Sequence, residues 1–157
     1  MLLVNLQWVA LCRYAETNYG HGATLVGVGV ETMEMPSFPY EASLWVAVCF
    51  TAHYQELEAS TIHDISYRVV DSDLVERDAD TMRFRLMEAP GPGHQPGWDA
   101  RHVEPLKIEF EVQEPGVHTL TVILDGQTPG QSIPVVFLRP GELRLPGGVA
   151  GPPGPQD

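Results

Sequence analysis

Five acidic residues lie within ten positions in the middle of the chain: Asp71, Asp73, Glu76, Asp78 and Asp80. Clustered carboxylate oxygens are the ligands that Ca²⁺ prefers, and loops of β proteins can present them. The stretch contains no glycine, and Asp-x-Asp next to a strand end is also ordinary turn chemistry. The sequence favours a solvated loop between two strands, screened by Arg77, Arg83 and Arg85. A calcium site is the alternative, with the candidate ligands Asp71, Asp73, Asp78 and Asp80.

Two histidines offer a second possible metal site. His53 and His63 flank the segment Tyr54 to Ile62, and an antiparallel pairing of the flanking strands would place the two rings opposite each other. Zinc or iron would need further ligands at about 2.0 to 2.2 Å. Acidic residues close in sequence that could complete such a site are Glu56, Glu58 and Asp64. The spacing matches no recognised metal motif, so two ordinary strand-end histidines are the favoured interpretation and no cofactor is expected.

The two cysteines, Cys12 and Cys49, lie among apolar neighbours. An apolar environment hides a thiol and disfavours the reactive thiolate. We expect both to be buried and free, with a single disulfide between them as the alternative. The sequence also lacks a Gly-x-Ser-x-Gly elbow, a phosphate-binding glycine loop and a His-Glu-x-x-His helix. No catalytic residue is assigned.

The elements that would position these residues are strands. Leu106, Ile108, Phe110 and Val112 alternate with polar residues, which is typical of a strand with one wet face. The run Leu44 to Thr51 is apolar at both parities and predicts a central strand. The pattern predicts eight strands near residues 3–12, 23–32, 43–54, 62–70, 81–88, 103–113, 117–125 and 131–138. Pro134 lies inside the last of them and marks an edge or a bulge.

Eight short strands with turns between them and no convincing helix predict an all-β, antiparallel, two-sheet immunoglobulin-like sandwich. A closed barrel is the alternative. Candidate core residues are Trp8, Trp45 and Phe110. The domain is expected over residues 1–139. Residues 140–157 form a tail rich in proline and glycine, for which flexibility is expected. The aromatic loops Phe38-Pro39-Tyr40 and Pro96-Gly97-Trp98 are interpreted as plugs at the ends of the sandwich.

Charge excludes several kinds of partner. The chain has 157 residues, 21 acids against 9 Lys and Arg, and a net charge of -12. A phosphate backbone or an anionic membrane would be repelled, so neither nucleic acid nor membrane is expected as a partner. The apolar segment Met1 to Cys12 has no leading base and is interrupted by Asn5 and Gln7, which predicts a strand and a cytoplasmic protein instead of a secretory signal.

Several segments, in order, resemble a bacterial family known only as domain of unknown function 6941. Its opening matches Ala10-Leu11-Cys12-Arg13-Tyr14-Ala15 and Leu25-Val26-Gly27-Val28-Gly29. Its entry to the third strand is similar to Pro36-Ser37-Phe38-Pro39. Its closing hairpin is similar to Glu114 to Thr119, Val122 to Gly126 and Ile133 to Phe137. The likeness covers residues 8–138 and implies an immunoglobulin-like sandwich, but it supplies no catalytic residue.

Strand periodicity without a catalytic constellation favours a non-enzymatic protein that acts through protein–protein contacts, as an adaptor, accessory or assembly subunit. Its partner is a protein or a second copy of the chain. One alternative is a hydrolase or metal-dependent enzyme built on the loop between His53 and His63. Another is a structural component of a virion or phage tail.

Overall fold

The computed structural model describes residues 4–18, 22–29, 31–86 and 99–142. The described chain is all-β, with ten strands and one six-residue helix. The elements are β1 (Val4–Cys12), β2 (Tyr14–Asn18), β3 (Gly22–Val26), β4 (Thr32–Glu34), β5 (Tyr40–Ala52), α1 (Tyr54–Ala59), β6 (Ile62–Val70), β7 (Glu76–Arg85), β8 (Ala100–Val112), β9 (Gly116–Leu124) and β10 (Gln131–Leu138). No helix in these ranges is long and apolar enough to cross a membrane.

The strands form three separate sheets. One has three strands in the order β1, β5, β8, and the largest has five in the order β4, β10, β9, β6, β7. The third is the two-stranded hairpin β2, β3. Each sheet has two edge strands, so the closed barrel, which the sequence left as the alternative, is wrong. Every pairing is antiparallel except that of β10 with the short β4.

One apolar core lies between the two larger sheets. It includes alternate residues of β5 and β8 on one side and of β6, β9 and β10 on the other. Phe50 links the sides, because its ring lies 5.3 Å from that of Phe84 on β7. The largest fully buried side chains are Phe50, Phe137, Leu11, Leu44, Ile65, Ile108, Leu120 and Leu124. Phe110 is buried as predicted.

Strand β5 is central, as its apolar run predicted. It pairs with β1 and β8 along its length, and Val46 to Phe50 are all buried. Its second face packs in a smaller cluster built from Cys12, Ala15 and Ala47, with Leu25, Trp45 and Val103 against it. Both parities are apolar because both faces of β5 are covered.

The expected strand 23–32 is correct only for residues 23–26, which belong to β3, and the pairing of β3 with β2 in a hairpin was not predicted. The chain turns at Gly27 and Gly29, whose φ angles are 64° and 88°. A Cβ atom on Gly27 would lie 2.9 Å from Cγ of Arg13. Only glycine tolerates this backbone without strain. The turn separates β3, which pairs with β2, from β4, which pairs with β10.

Two further predictions need correction. Strand β7 begins at Glu76 and not near 81, so Glu76, Asp78 and Asp80 lie in a strand and not in a loop. Trp8 is 37% exposed and does not fill the core. It lies beside the bulge that shifts the register of β1 against β5 between Leu6 and Trp8.

The prediction of an edge strand or a bulge at Pro134 needs correction, because β10 lies between β4 and β9 and its register against β9 is continuous. At Pro134 itself, however, β10 has one neighbour. It pairs with Thr119 of β9, whereas β4 contacts β10 only at Val136–Leu138. Among the described residues, no strand faces Pro134 on the side away from β9, so the missing N–H of Pro134 loses no hydrogen bond between strands on that side. The Phe38 and Tyr40 rings are partly buried and pack against the main core. Residues 87–98, including the loop with Trp98, and residues 143–157 of the predicted tail lie outside the described residues.

Candidate functional site

Four polar side chains from three places in the chain meet at one end of the five-stranded sheet. We call Glu56, Thr61, His63 and Asp125 the His63 cluster. The His63 ring is 6% exposed, its Nδ1 lies 2.8 Å from Oδ2 of Asp125, and its Nε2 lies 2.9 Å from Oγ1 of Thr61. Thr61 Oγ1 also contacts Oε2 of Glu56. The four side chains form one continuous chain of hydrogen bonds.

Local structure explains why these residues meet. Thr61 and His63 are two positions apart at the start of β6, so their side chains share one face. Asp125 occupies the turn after β9, where Asp125 and Gly126 have φ angles of 48° and 68°. Both central residues of the two-residue turn are therefore left-handed, as Asp-Gly predicts.

Main-chain bonds hold the turn against β6. The Asp125 N–H donates to the Asp64 carbonyl at 2.8 Å, and the Asp64 N–H donates to Oδ1 of Asp125 at 2.9 Å. The second carboxylate oxygen, Oδ2, is left to accept the His63 ring N–H. Glu56 lies on α1. Thr61, two residues after the end of α1, donates its N–H to the Glu56 carbonyl at 3.4 Å.

The cluster has the order of a carboxylate, an imidazole and a hydroxyl. Such an order orients a histidine as general base towards a nucleophile. Here the Thr61 hydroxyl also contacts the carboxylate and, at 3.3 Å, the carbonyl oxygen of Glu56, so its single hydrogen has three acceptors within reach. The 3.7 Å separation between His63 Nε2 and Glu56 Oε2 places a second carboxylate close to the ring.

The strand pairing that could have placed His53 opposite His63 does not form. The end of β5 brings His53 to the three-stranded sheet, whereas His63 lies on β6 opposite Phe84 of β7. The Nδ1 atom of His53 accepts the N–H of Gln55 at 3.4 Å. Asp64, a proposed third ligand, is paired with Arg83 at 3.0 Å. Across the described ranges, no group of three or more His, Cys, Asp or Glu is arranged to hold a metal ion.

The acidic stretch divides into two parts, and Asp71 organises the first. Its Oδ1 accepts the N–H groups of Asp73 and Val75, each at 2.9 Å. Its Oδ2 accepts Nε and Nη2 of Arg77, each at 2.5 Å. The backbone bond from Val75 and the Arg77 guanidinium hold the pKa of Asp71 below its usual range. Asp71 thus serves as the acceptor that closes the turn between β6 and β7.

Asp78 and Asp80 face the other way from Arg77 along β7. Asp78 is opposite Val69 and accepts the hydroxyl of Tyr67 at 2.9 Å. Burial, and then the bond to Asp78, raise the pKa of Tyr67. Asp80 accepts the N–H of Thr81 at 2.7 Å. The four candidate calcium ligands therefore lie on two different structures, a turn and a strand.

A small pocket of about 120 Å³ opens beside the Asp71 turn. Its wall includes Arg77, Glu114 and His118. His118 is 3% exposed, its Nδ1 has no hydrogen-bond partner among the described residues, and its ring packs against Phe110 and Phe137. Burial lowers the pKa of His118, and the backbone of Gly116 acts in the opposite direction.

A larger, open groove of about 460 Å³ crosses the outer face of β6, β7 and β9. Its hydroxyls are already paired in part, since Ser66 and Thr81 lie 3.0 Å apart. Arg83 and Arg85 lie on this outer face as predicted, opposite Asp64 and Ile62.

Both cysteines are buried and free, as predicted. Burial raises the pKa of each thiol. Cys12 directs its Sγ to the Trp45 carbonyl at 3.5 Å. Neither thiol has the features of a reactive nucleophile.

The hairpin β2, β3 carries the apolar surface that sequence reasoning missed. Tyr14 and Val26 are paired directly across the hairpin and are 44% and 50% exposed. Val28 follows in the turn and is 55% exposed. The Tyr14 ring rests edge-on against Trp45, with centroids 5.6 Å apart. We call Tyr14, Val26 and Val28 the hairpin patch.

Comparisons with known proteins give no family assignment. A scan against protein-family models found none that matches the chain, and a search of curated proteins found no match either.

Proposed function

We propose that this chain is an immunoglobulin-like two-sheet sandwich of the family it resembles, and that it acts in the cytoplasm through protein–protein contacts without catalysis. Its role would be that of an adaptor, accessory or assembly subunit. The observation that carries the proposal is the hairpin patch, an apolar surface on an element that belongs to neither of the two large sheets. Contiguous exposed apolar side chains are typical of contact sites.

The hairpin patch is supported from beneath. Ala15 is buried, and Leu25 packs with Trp45 in the smaller cluster. A side chain held on a rigid base loses little conformational entropy when a partner covers it. Tyrosine is also enriched at the energetic centres of interfaces. The patch therefore combines exposure with a fixed geometry.

Side-chain contact is favoured over strand addition at the edge of β1. Carbonyl oxygens of this edge already accept hydrogen bonds from the Gln127 and Gln131 side chains at 2.8 and 2.9 Å. A further strand would have to displace them. We assign the hairpin patch to the partner.

The test compares the double variant Tyr14→Ser, Val26→Ser with Val117→Ser. Val117 is a matched control because it is a 48% exposed valine on β9, in a different sheet. Cross-linking and co-purification from the native host should recover the same partner with the wild type and the control, and lose it with the double variant. Equal melting temperatures would show that the loss is not due to unfolding. A partner retained by the folded double variant would contradict the proposal.

The second candidate is an enzyme at the loop between His53 and His63. The observation that favours it is the order of Asp125, His63 and Thr61. Hydrolysis of an activated ester, abolished by Thr61→Val, would support a hydrolase. Stoichiometric zinc or iron that is lost in the His53→Ala, His63→Ala variant would support a metal-dependent enzyme. We expect neither result.

A further inference from the structure

The His63 cluster contains more acceptors than hydrogens unless it binds an additional proton. Oδ2 of Asp125 accepts from Nδ1 of His63, so Nδ1 carries a hydrogen. Two side-chain acceptors, Nε2 of His63 and Oε2 of Glu56, then converge on Thr61, whose hydroxyl has one hydrogen. The Glu56 carbonyl oxygen also lies 3.3 Å from the hydroxyl, but it accepts the Thr61 N–H. With a neutral ring and an ionised Glu56, one of the two side-chain contacts has no hydrogen.

One additional proton satisfies both side-chain contacts of the Thr61 hydroxyl. If it lies on Nε2, the ring donates to Thr61 and the Thr61 hydroxyl donates to the Glu56 carboxylate. If it lies on the Glu56 carboxyl, the direction reverses and Thr61 donates to Nε2. Both arrangements have the same number of protons and a hydrogen in each side-chain contact, and hydrogen bonds with a charged partner are the stronger kind.

The groups that face the ring are two carboxylates and one uncharged ring. Carboxylates face the ring from α1 (Glu56) and from the turn after β9 (Asp125). The side chain that faces it from β7 is Phe84, which is uncharged, with ring centroids 5.7 Å apart. Asp64 also lies on β6, but its carboxylate is paired with Arg83 on the outer face.

The cluster also attaches α1 to the sheet. Thr61 contacts Glu56 through its hydroxyl and its N–H, and the Glu56 N–H donates to the His53 carbonyl at 2.9 Å. We propose that Glu56, Thr61, His63 and Asp125 share one proton that fixes α1 to the five-stranded sheet, so that α1 loosens when rising pH removes the proton.

The test is amide hydrogen exchange on the full chain, corrected for intrinsic rates, between about pH 5 and about pH 9, which includes the range over which histidine ordinarily changes charge. The probes are the N–H groups of Glu56 and Thr61. Protection in the wild type should fall about tenfold over this range, which corresponds to the loss of one charge-assisted bond. Amides in the middle of β5 should keep their protection.

Glu56→Gln separates a shared proton from simple packing. The replacement amide has its own N–H, which can donate to Thr61 while Thr61 donates to a neutral ring. Protection in this variant should stay high across the pH range. Thr61→Val, which breaks the relay, should give low protection throughout. Glu109→Gln is the matched control, since Glu109 lies on β8 and pairs with Lys107, and it should behave like the wild type.

Two results would overturn the inference. One is protection of Glu56 and Thr61 that does not change with pH in the wild type. The other is a Glu56→Gln variant that keeps the wild-type pH dependence. If Glu56→Gln fails to fold, the ¹⁵N resonances of the His63 ring in the wild type still decide, because Nε2 must change protonation over the same range in which protection falls.

Discussion

His63 and His118 are both buried, on neighbouring strands of one sheet, but their ring nitrogens have opposite surroundings. Both nitrogens of His63 are hydrogen-bonded, with carboxylates within 4 Å on two sides. His118 packs between Phe110 and Phe137, and its Nδ1 has no partner among the described residues. Burial of the His118 imidazole, with one of its nitrogens unpaired, favours the neutral form.

His118 should make the protein sensitive to mild acid. The pKa of His118 in the folded state is lowered from 6.5, so in mild acid the unfolded chain binds a proton at His118 more readily than the folded chain does. Stability is therefore complete above the unfolded pKa and is lost as the pH falls below it, by at most about 1.4 kcal/mol per pH unit for one group. His118→Phe keeps a ring against both phenylalanines and should flatten this dependence in urea unfolding. An unchanged slope below about pH 6 would show that His118 does not cause it.

Asp71 should stabilise the turn without a metal. Its carboxylate accepts two backbone N–H groups and the Arg77 guanidinium. Because its pKa is lowered in the folded state, this contribution is present above the ordinary carboxylate range and is lost as the pH falls through the folded value. We expect Asp71→Asn to lower the melting temperature at neutral pH, and the difference from the wild type to shrink in strong acid.

Millimolar calcium, compared with monovalent salt at matched ionic strength, should not raise the melting temperature. A site loaded a hundredfold above its Kd would add about 2.7 kcal/mol, a shift of several degrees. A calcium-specific rise that disappears in both Asp71→Asn and Asp73→Asn would establish the calcium site instead.

Among the elements, β1 shows how an edge strand can be closed by side chains. The Gln127 amide donates to the Val4 carbonyl and the Gln131 amide to the Gln7 carbonyl. Gln127 lies in the segment between β9 and β10, and Gln131 is the first residue of β10. The two hydrogen bonds therefore connect the two larger sheets at this side of the core.

Replacing both glutamines should weaken this connection. Gln127→Ala with Gln131→Ala should reduce the free energy of unfolding by about 1 to 3 kcal/mol, since each hydrogen bond contributes about 0.5 to 1.5 kcal/mol. Gln113→Ala is the control, because the Gln113 side chain contacts Glu111 in the same chain segment. Urea unfolding of the three proteins measures the effect. A double variant as stable as the control would mean that water replaces both bonds.

The sequence predicted those elements whose burial is regular. Leu106 to Val112 alternate in the structure as they do in the sequence, and the doubly apolar run of β5 is central. The hairpin β2, β3 was missed because it buries only a small inner face around Ala15 and Leu25, and its outer face mixes apolar Tyr14 and Val26 with polar Glu16 and Thr24. The start of β7 was predicted too late because the acidic composition of residues 76–80 is typical of a loop. In the structure these residues form a strand because they pair with β6.

At the scale of the whole molecule, the site could be predicted only in part. The sequence indicated His63 as a candidate site residue, but it indicated Asp125 only as a turn residue. In the structure Asp125 is both a turn residue and the partner of His63. Glu56 and Asp125 are far apart in sequence, and it is the pairing of β6 with β9 that brings Asp125 to His63. No local pattern encodes a contact that depends on strand order. The charge of -12 also gives no indication of where the apolar patch lies.

The central claim is that the hairpin patch receives a protein partner. Hydrogen–deuterium exchange of the complex recovered from the native host tests this most directly, compared with the free chain. We predict new protection across β2, β3 and the turn through Val28, with the outer face of β9 around Val117 unchanged. Protection confined to other strands, with the hairpin exchanging as in the free chain, would contradict the claim.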